Sequence, residues 1–335
     1  QPNISRSIIS ENPRKIDVDI NLDNLESSNK NFDELKLYRK SFSNYNKIEN
    51  YRNNFKVSNS ELIKSAFNFF SSKNEHIKTH YTHRGRTKIR VLKDEIQKKL
   101  KRNFRYSFIN NNLEKKIDFG EKFVYFPLAV DEEKNLLIGA PFYTNQLEVL
   151  RHIAKSLPID YKLYVKENPA QVIRYWRSIS EYKDIMNIPN VRLIHPSFPA
   201  EKIYEKCSIV ITIAGTSGLD AAFYEKPAII FSDLGYSILP SVSRLKNIGE
   251  LSTLILESLQ KKVSSDDLDK YIGILHDNSF DFNPMDFENK VNESFYYDGH
   301  YLSVEISENK MKIFLEQNKS IIDNLASEFE KKMNP

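Results

Sequence analysis

The sequence predicts an α/β protein built on a parallel sheet, and three observations carry that prediction. From Lys122 onward, short apolar runs alternate with stretches whose apolar residues recur every three or four positions. That is the pattern of strands joined by crossover helices. The run Ser208-Ile209-Val210-Ile211-Thr212-Ile213 is mostly β-branched, as expected of a strand buried on both faces. It breaks at Gly215-Thr216-Ser217-Gly218 and resumes in helix-forming residues, so a central strand ends in a tight turn that opens a helix.

Taken in order, residues 1 to 30 are rich in Asn, Ser and Asp and read as a polar arm or linker. Residues 31 to 120 have helical but uneven periodicity, with candidate helices opening at Phe32, spanning Leu62 to Phe70 and spanning Ile89 to Phe104. The stretch His83 to Arg105 is strongly basic, while Ile89, Leu92, Ile96 and Leu100 fall at helical spacing. Its cations are expected to line the outer face of an amphipathic helix, either simply solvated or drawn to an anionic membrane or glycan. Residues 121 to 282 read as one Rossmann-like domain. Its strands are Lys122–Leu128, Tyr161–Lys166, Val191–His195, Ser208–Ile213 and Ala228–Phe231. Helices are expected over 145–157, 178–186, 200–207, from 217, and around 248–259 and 265–275. Residues 283 to 335 form an extension closing in a helix from Lys310 to about Lys332.

The totals exclude several classes. Forty-nine Lys and Arg against 45 Asp and Glu is too mild an excess to argue for nucleic acid. One cysteine, Cys207, excludes an internal disulfide and speaks for a small core residue. No apolar run approaches the ~18 residues of a membrane-spanning helix. The chain opens at Gln1 instead of methionine, which suggests a processed or trimmed piece. No G-x-G-x-x-G follows the first strand, and Walker, H-E-x-x-H and G-x-S-x-G patterns are absent.

Ligands of open α/β sheets bind beyond the carboxyl ends of the strands. Those ends are Pro127 to Glu133, Lys166-Glu167-Asn168-Pro169, His195-Pro196-Ser197, Ala214 to Ser217, and Ser232 to Tyr236, all polar or turn-forming. A phosphate suits the 215–218 turn, where backbone N–H groups and a helix dipole meet. The same residues also read as a plain N-capped turn. In the ligand reading, Gly215, Thr216, Ser217 and Gly218 hold phosphate and Asp220 faces ribose hydroxyls. Lys166 or Arg174 neutralises charge there, and Glu167, Asn168 and Ser197 add polar contacts. Lys166 and Glu167 also read as an exposed ion pair, and His195 as a loop histidine.

Several blocks resemble the bacterial capsule polysaccharide biosynthesis family. They are Tyr125-Phe126-Pro127-Leu128, Pro141-Phe142-Tyr143, Tyr164 to Gln171, Ile188-Pro189-Asn190-Val191, and Thr212 to Ala221. That family includes transferases of 3-deoxy-D-manno-octulosonic acid (Kdo) from CMP-Kdo. The resemblance implies a GT-B architecture of two facing Rossmann-like domains, with the C-terminal one holding the nucleotide and no metal or cofactor needed. It maps a Lys-Glu-His-Pro motif onto Lys166, Glu167, Asn168 and Pro169. A Gly-Thr-x-Gly-x-Glu-Ala turn falls on Gly215, Thr216, Gly218, Asp220 and Ala221. Ala129 and Asn168 stand where the family has histidines, and the N-terminal GT-B domain either lies upstream of Gln1 or is reduced to the helical region.

The expected function is a metal-independent glycosyltransferase, or its donor-binding half, using a CMP-linked or UDP-linked sugar. Asp131 and Glu132 are the candidate acid, base or nucleophile. The alternatives are a sugar-nucleotide 2-epimerase type and a non-catalytic nucleotide- or glycan-binding module. Expected partners are the nucleotide sugar, a glycan or glycolipid acceptor and an anionic membrane surface, with no nucleic acid. The expected location is the cytoplasm, peripheral to the inner membrane.

Overall fold

The structure, a computed structural model, describes residues 6–8, 22, 25–41, 58–71, 87–130, 134–169, 171, 177–297, 301–302 and 306–333. The chain folds as two compact units. The larger comprises Ser10–Lys40 and Arg102–Asp277, the smaller Gln1–Ile9, Ser41–Lys101 and Asn278–Pro335.

Among the described residues three helices come first: α1 (Phe32–Ser41), α2 (Asn59–Ser71) and α3 (Lys88–Asn112). The first two begin with capping boxes. Glu34 N–H donates to Asn31 Oδ1 at 3.0 Å while Asn31 N–H donates to the Glu34 carboxylate at 2.8 Å, and Ser58 and Glu61 repeat the exchange.

Six parallel strands organise the larger unit: β1 (Lys122–Pro127), β2 (Tyr161–Lys166), β3 (Val191–Ile194), β4 (Val210–Thr212), β5 (Ala228–Ile230) and β6 (Val242–Arg244). Their spatial order is β3-β2-β1-β4-β5-β6. The chain starts mid-sheet, winds outward to β3, then returns to lay β4 against the free side of β1. This is the order of doubly wound nucleotide-binding sheets, so the expected Rossmann-like parallel sheet is present. Tyr125 pairs with Tyr164 on one side and Val210 on the other, which fixes the central register.

Both faces are covered. On one, Val124, Phe126, Leu163, Val165, Ile211 and Ile229 share a core with α4 (Gln146–Ser156), α5 (Ile179–Met186) and α8 (Leu251–Ser258), through Leu150, Ile153, Ile185 and Ile255. On the other, the Tyr125 ring meets Tyr204 of α6 (Ala200–Lys206) edge-on at 5.3 Å. There α7 (Ser217–Phe223) packs on β4, β5 and α9 (Ser265–Asp277). Ile109 and Leu113, at the end of α3, join the first core. The chain after them bridges to the outer edge of β3 through Glu114, covering that edge.

The structure changes some boundaries. β4 is three residues long, Val210–Thr212, shorter than the six-residue run read from the sequence. β6 was not expected. It is short, and its Ser243 and Arg244 break the apolar signal. The closing helix is two, α11 (Glu308–Gln317) and α12 (Lys319–Met333), separated at buried Asn318, whose amide donates to Phe314 O at 2.9 Å. Before them, α10 spans Pro284–Phe295.

In the smaller unit α2 and the start of α3 form a hairpin. Lys88 Nζ donates to Phe70 O at 3.2 Å and Lys99 Nζ to Asn59 Oδ1 at 3.0 Å. The expectation that the α3 apolar stripe faces inward is corrected here. Ile89, Ile96 and Leu100 are 69%, 62% and 65% exposed, and Ile63 and Phe67 of α2 are equally open. The periodicity makes the helix amphipathic, but no described element covers that face.

Candidate functional site

The sheet order puts its switch point between β1 and β4, where neighbouring strands send their chains to opposite sides and where open α/β sheets bind ligands in a crevice beyond the carboxyl ends. One wall is the β1 exit, Leu128-Ala129-Val130; the other is the β4 exit, Ile213 to Ser217.

The β4 wall is a turn shaped by close contacts. Gly215 N–H donates to Thr212 Oγ1 at 3.3 Å, and a Cβ at Gly215 would come within 2.9 Å of that oxygen. Tyr236, after β5, lies across the turn. Its hydroxyl donates to Gly215 O and faces the Gly218 backbone, and a Cβ on Gly218 would meet it at 2.7 Å. Glycine is therefore required at 218 by the phenol above it. Burial pushes that phenol well above the usual tyrosine range, so it stays a donor. Thr216 is exposed and Ser217 half-buried, with no side-chain cap on the helix from Thr216. The Thr216 side chain is thus exposed at the β4 exit, while Ser217 Oγ lies close to the Gly215 backbone.

The β1 wall is braced from inside. The Gln146 amide clamps Ala129, accepting from its N–H at 2.8 Å and donating to its carbonyl at 3.0 Å. That carbonyl also accepts from Arg177 at 3.2 Å. The side chains of Arg177 and Glu167 are both fully buried and paired at 2.9 Å. Glu167 further accepts from Tyr182 Oη at 2.7 Å and from Asn168 N–H at 2.6 Å. Burial, reinforced by the Glu167 charge, pushes the Tyr182 hydroxyl far above its ordinary value, so it too stays a donor. A carboxylate enclosed by these donors holds the Lys166-to-Pro169 turn against the Ala129 loop and has no face left for a ligand.

The expected site residues therefore separate. Gly215, Thr216, Ser217 and Gly218 form the β4 wall as one turn. Asp220 lies one turn into α7, its Oδ1 held by Arg39 of α1 at 2.8 Å. Lys166 is only 4% exposed and ends β2, two strands from β4 and thus ~10 Å away. Asn168 is half-buried beside it. Glu167 serves the wall, not its surface, and is no exposed partner of Lys166. Ser197 is exposed and within 2.6 Å of His195 Nδ1, but it follows β3, three strands or ~14 Å from β4. His195 Nδ1 accepts Ser197 N–H at 3.1 Å, leaving the proton on Nε2, which faces Asn110 Oδ1 at 3.1 Å. It is a loop-holding histidine. Asp131, Glu132 and Arg174 lie outside the described residues. Cys207 is buried, and burial pushes its thiol up to about 12.

Sequence reasoning missed Gln146, Arg177, Tyr236 and Arg39. It also missed Ser232, whose buried hydroxyl has no partner among the described residues and whose N–H donates to Ile213 O at 3.1 Å beside the turn, and Gln171, whose buried amide is likewise unpartnered among them. The strand-end reading took in Ser232 and Tyr236 without giving either a role, and Gln171 lay in a family block; nothing local marked Arg177 or Arg39.

Comparison with known proteins gives a family and several partial likenesses. The sequence model of the family described as capsule polysaccharide biosynthesis protein matches residues 33–242, taking in α1 to α3 as well as the sheet through the start of β6. No protein of curated function matches. Among solved structures, the chain is similar to Thermosulfurimonas dismutans KpsC, beta Kdo 2,7 transferase, at 14% identity and a TM-score of 0.33, over 52% of each chain. It is similar to Methanocaldococcus jannaschii UDP-GlcNAc 2-epimerase at 13% identity and a TM-score of 0.32, over 51% of this chain and 48% of that one. The spinosyn rhamnosyltransferase SpnG complexed with thymidine diphosphate follows at 15% and 0.30, over 47% and 41%. The chain spans about half the length of these structures.

Proposed function

The chain belongs to the capsule polysaccharide biosynthesis family, and on that premise we propose that it is a glycosyltransferase, or the donor-binding half of one, using a nucleotide sugar in capsule or surface polysaccharide synthesis. The observation that carries this reading is the switch point between β1 and β4, with the Thr216 and Ser217 hydroxyls on one wall. In this reading those hydroxyls receive the donor phosphate. Asn168 and Lys166 add stabilisation as negative charge grows on the departing nucleotide. Asp131 or Glu132, following the β1 exit, supplies the acid–base or nucleophilic carboxylate, and no metal or cofactor is required. A CMP-linked donor, CMP-Kdo in particular, is favoured by the family blocks and a UDP-linked one is the alternative. A second domain completes the GT-B cleft.

Calorimetry with CMP, UDP and GDP tests this. Binding of one of them is expected, weakened about tenfold by Thr216→Ala, the scale of one hydrogen bond to a charged group. CMP preference supports the Kdo-type reading; UDP preference supports a hexosyltransferase or a 2-epimerase. Binding without transfer to any acceptor supports the module reading, which Ala129 and Asn168 in place of histidines favour. No binding at all overturns the proposal.

The acceptor side is proposed to meet an anionic membrane surface. α3 carries eight basic and two acidic residues, and exposed Ile63, Phe67, Ile89, Ile96 and Leu100 lie on the same helical hairpin. Apolar side chains flanked by cations suit an interfacial helix, and no helix among the described residues is long and apolar enough to cross a membrane. Co-sedimentation with phosphatidylglycerol-containing vesicles, absent with phosphatidylcholine alone and lost in Ile96→Glu/Leu100→Glu, is the expected result. Equal binding to both vesicle types would remove the membrane from the scheme.

A further inference from the structure

A phosphate seated at Thr216 and Ser217 meets a carboxylate one turn further along α7. Residues three apart on a helix are neighbours, so Asp220 would repel the ligand that the turn is suited to receive. The structure contains an answer to that conflict. Arg39, in the last turn of α1, directs both Nε and Nη2 at Asp220 Oδ1, each at 2.8 Å. The contact spans 181 residues of sequence, yet both groups belong to the larger unit.

The helix carrying Arg39 is itself firmly placed. Leu35 is fully buried. Lys36 Nζ pairs with Glu225 at 3.2 Å and lies 6.0 Å from the centre of the Tyr224 ring. Just before α1, Lys30 Nζ and the Ser28 N–H bind the two oxygens of buried Asp269 at 3.1 and 2.6 Å. These anchors hold Arg39 in position beside α7.

We infer that Arg39 is a positioning residue for the donor: it cancels the Asp220 charge at the crevice, so that the carboxylate offers its other oxygen to the ribose without repelling the phosphate. The inference rests on the donor-binding reading given above. The two side chains are 24% and 22% exposed, so water weakens the pair without abolishing it, and the effect on an anionic ligand is largest at low salt.

The test is a charge cycle read by calorimetry with CMP and UDP, set against uncharged cytidine and uridine. Arg39→Gln is expected to weaken nucleotide binding about tenfold at low salt and to leave nucleoside binding unchanged. Asp220→Asn, which keeps an acceptor oxygen and drops the charge, is expected to restore the Arg39→Gln protein to within about threefold of Asp220→Asn alone. The restored affinity is the coupling that a double-mutant cycle isolates. Lys36→Ala, which removes one anchor of the same helix and leaves the Arg39–Asp220 pair in place, is expected to weaken nucleotide binding by less than about threefold, well short of Arg39→Gln. If Arg39→Gln and Lys36→Ala weaken nucleotide and nucleoside alike, with no rescue by Asp220→Asn, Arg39 is only a clasp for α1 and the inference fails. If the unmodified protein binds neither CMP nor UDP, the donor-binding reading fails and takes this one with it.

Discussion

The two walls of the crevice are built on opposite principles. The β1 wall spends its polar groups inward: Gln146 on Ala129, Arg177 on Glu167 and on Ala129, Tyr182 on Glu167. The β4 wall is held by one phenol and two glycines, and its Thr216 is exposed. A wall whose charges are mutually satisfied gives rigidity and has little left for a ligand. A wall made of small residues under a single clamp leaves donors available. Mutations on the first are therefore expected to register as stability, and on the second as binding.

The largest effect is expected from Arg177→Met. Removing one member of a buried pair strands the other, at a cost of about 3–5 kcal/mol, read as a fall in the urea midpoint. Glu167→Gln/Arg177→Met should recover most of that loss, because no uncompensated charge remains. If the single variant unfolds no more easily than the original, the network is not what holds the β1 wall, and the contrast collapses.

How much of this was legible in the sequence follows the same divide. Short apolar runs alternating with helical stretches made β1 to β5 visible, β4 most plainly as a β-branched run, and the Gly215-to-Gly218 turn with them. β6 was not, because Ser243 and Arg244 give no apolar signal over three residues. Glu167 was read as a nucleotide-sugar-binding residue or, alternatively, as an exposed partner of Lys166. Its real partner Arg177 lies ten residues on, beyond a stretch with no periodicity to place it. The Tyr236–Gly218 contact and the Arg39–Asp220 pair are purely tertiary, and no local pattern encodes them. The α3 stripe shows a subtler limit, since spacing reveals that a helix has two faces without revealing which one is covered.

An intermediate effect is expected from Gly218→Ala. The added methyl would lie 2.7 Å from Tyr236 Oη and 2.9 Å from its ring, so the phenol or the turn must shift. Overpacking of this kind costs about 1–3 kcal/mol. Unlike Arg177→Met, it should also lower nucleotide affinity in the protein that remains folded, because the clamp and the binding turn are the same residues. Stability lost with affinity intact would separate the clamp from the ligand and move the site elsewhere.

The smallest expected change in stability belongs to Thr216→Ala, and its smallness is the sharpest test of the contrast. Thr216 is exposed and its hydroxyl caps nothing in α7, so the unfolding free energy should stay within about 0.5 kcal/mol, as for surface positions free of special contacts. The same variant is the one expected to lose about tenfold in nucleotide affinity. Large in binding and negligible in folding is the signature of a group held out for a ligand. A threonine that instead destabilised the fold would be an N-cap in the ordinary sense, and the β4 wall would then be as inward-turned as its neighbour.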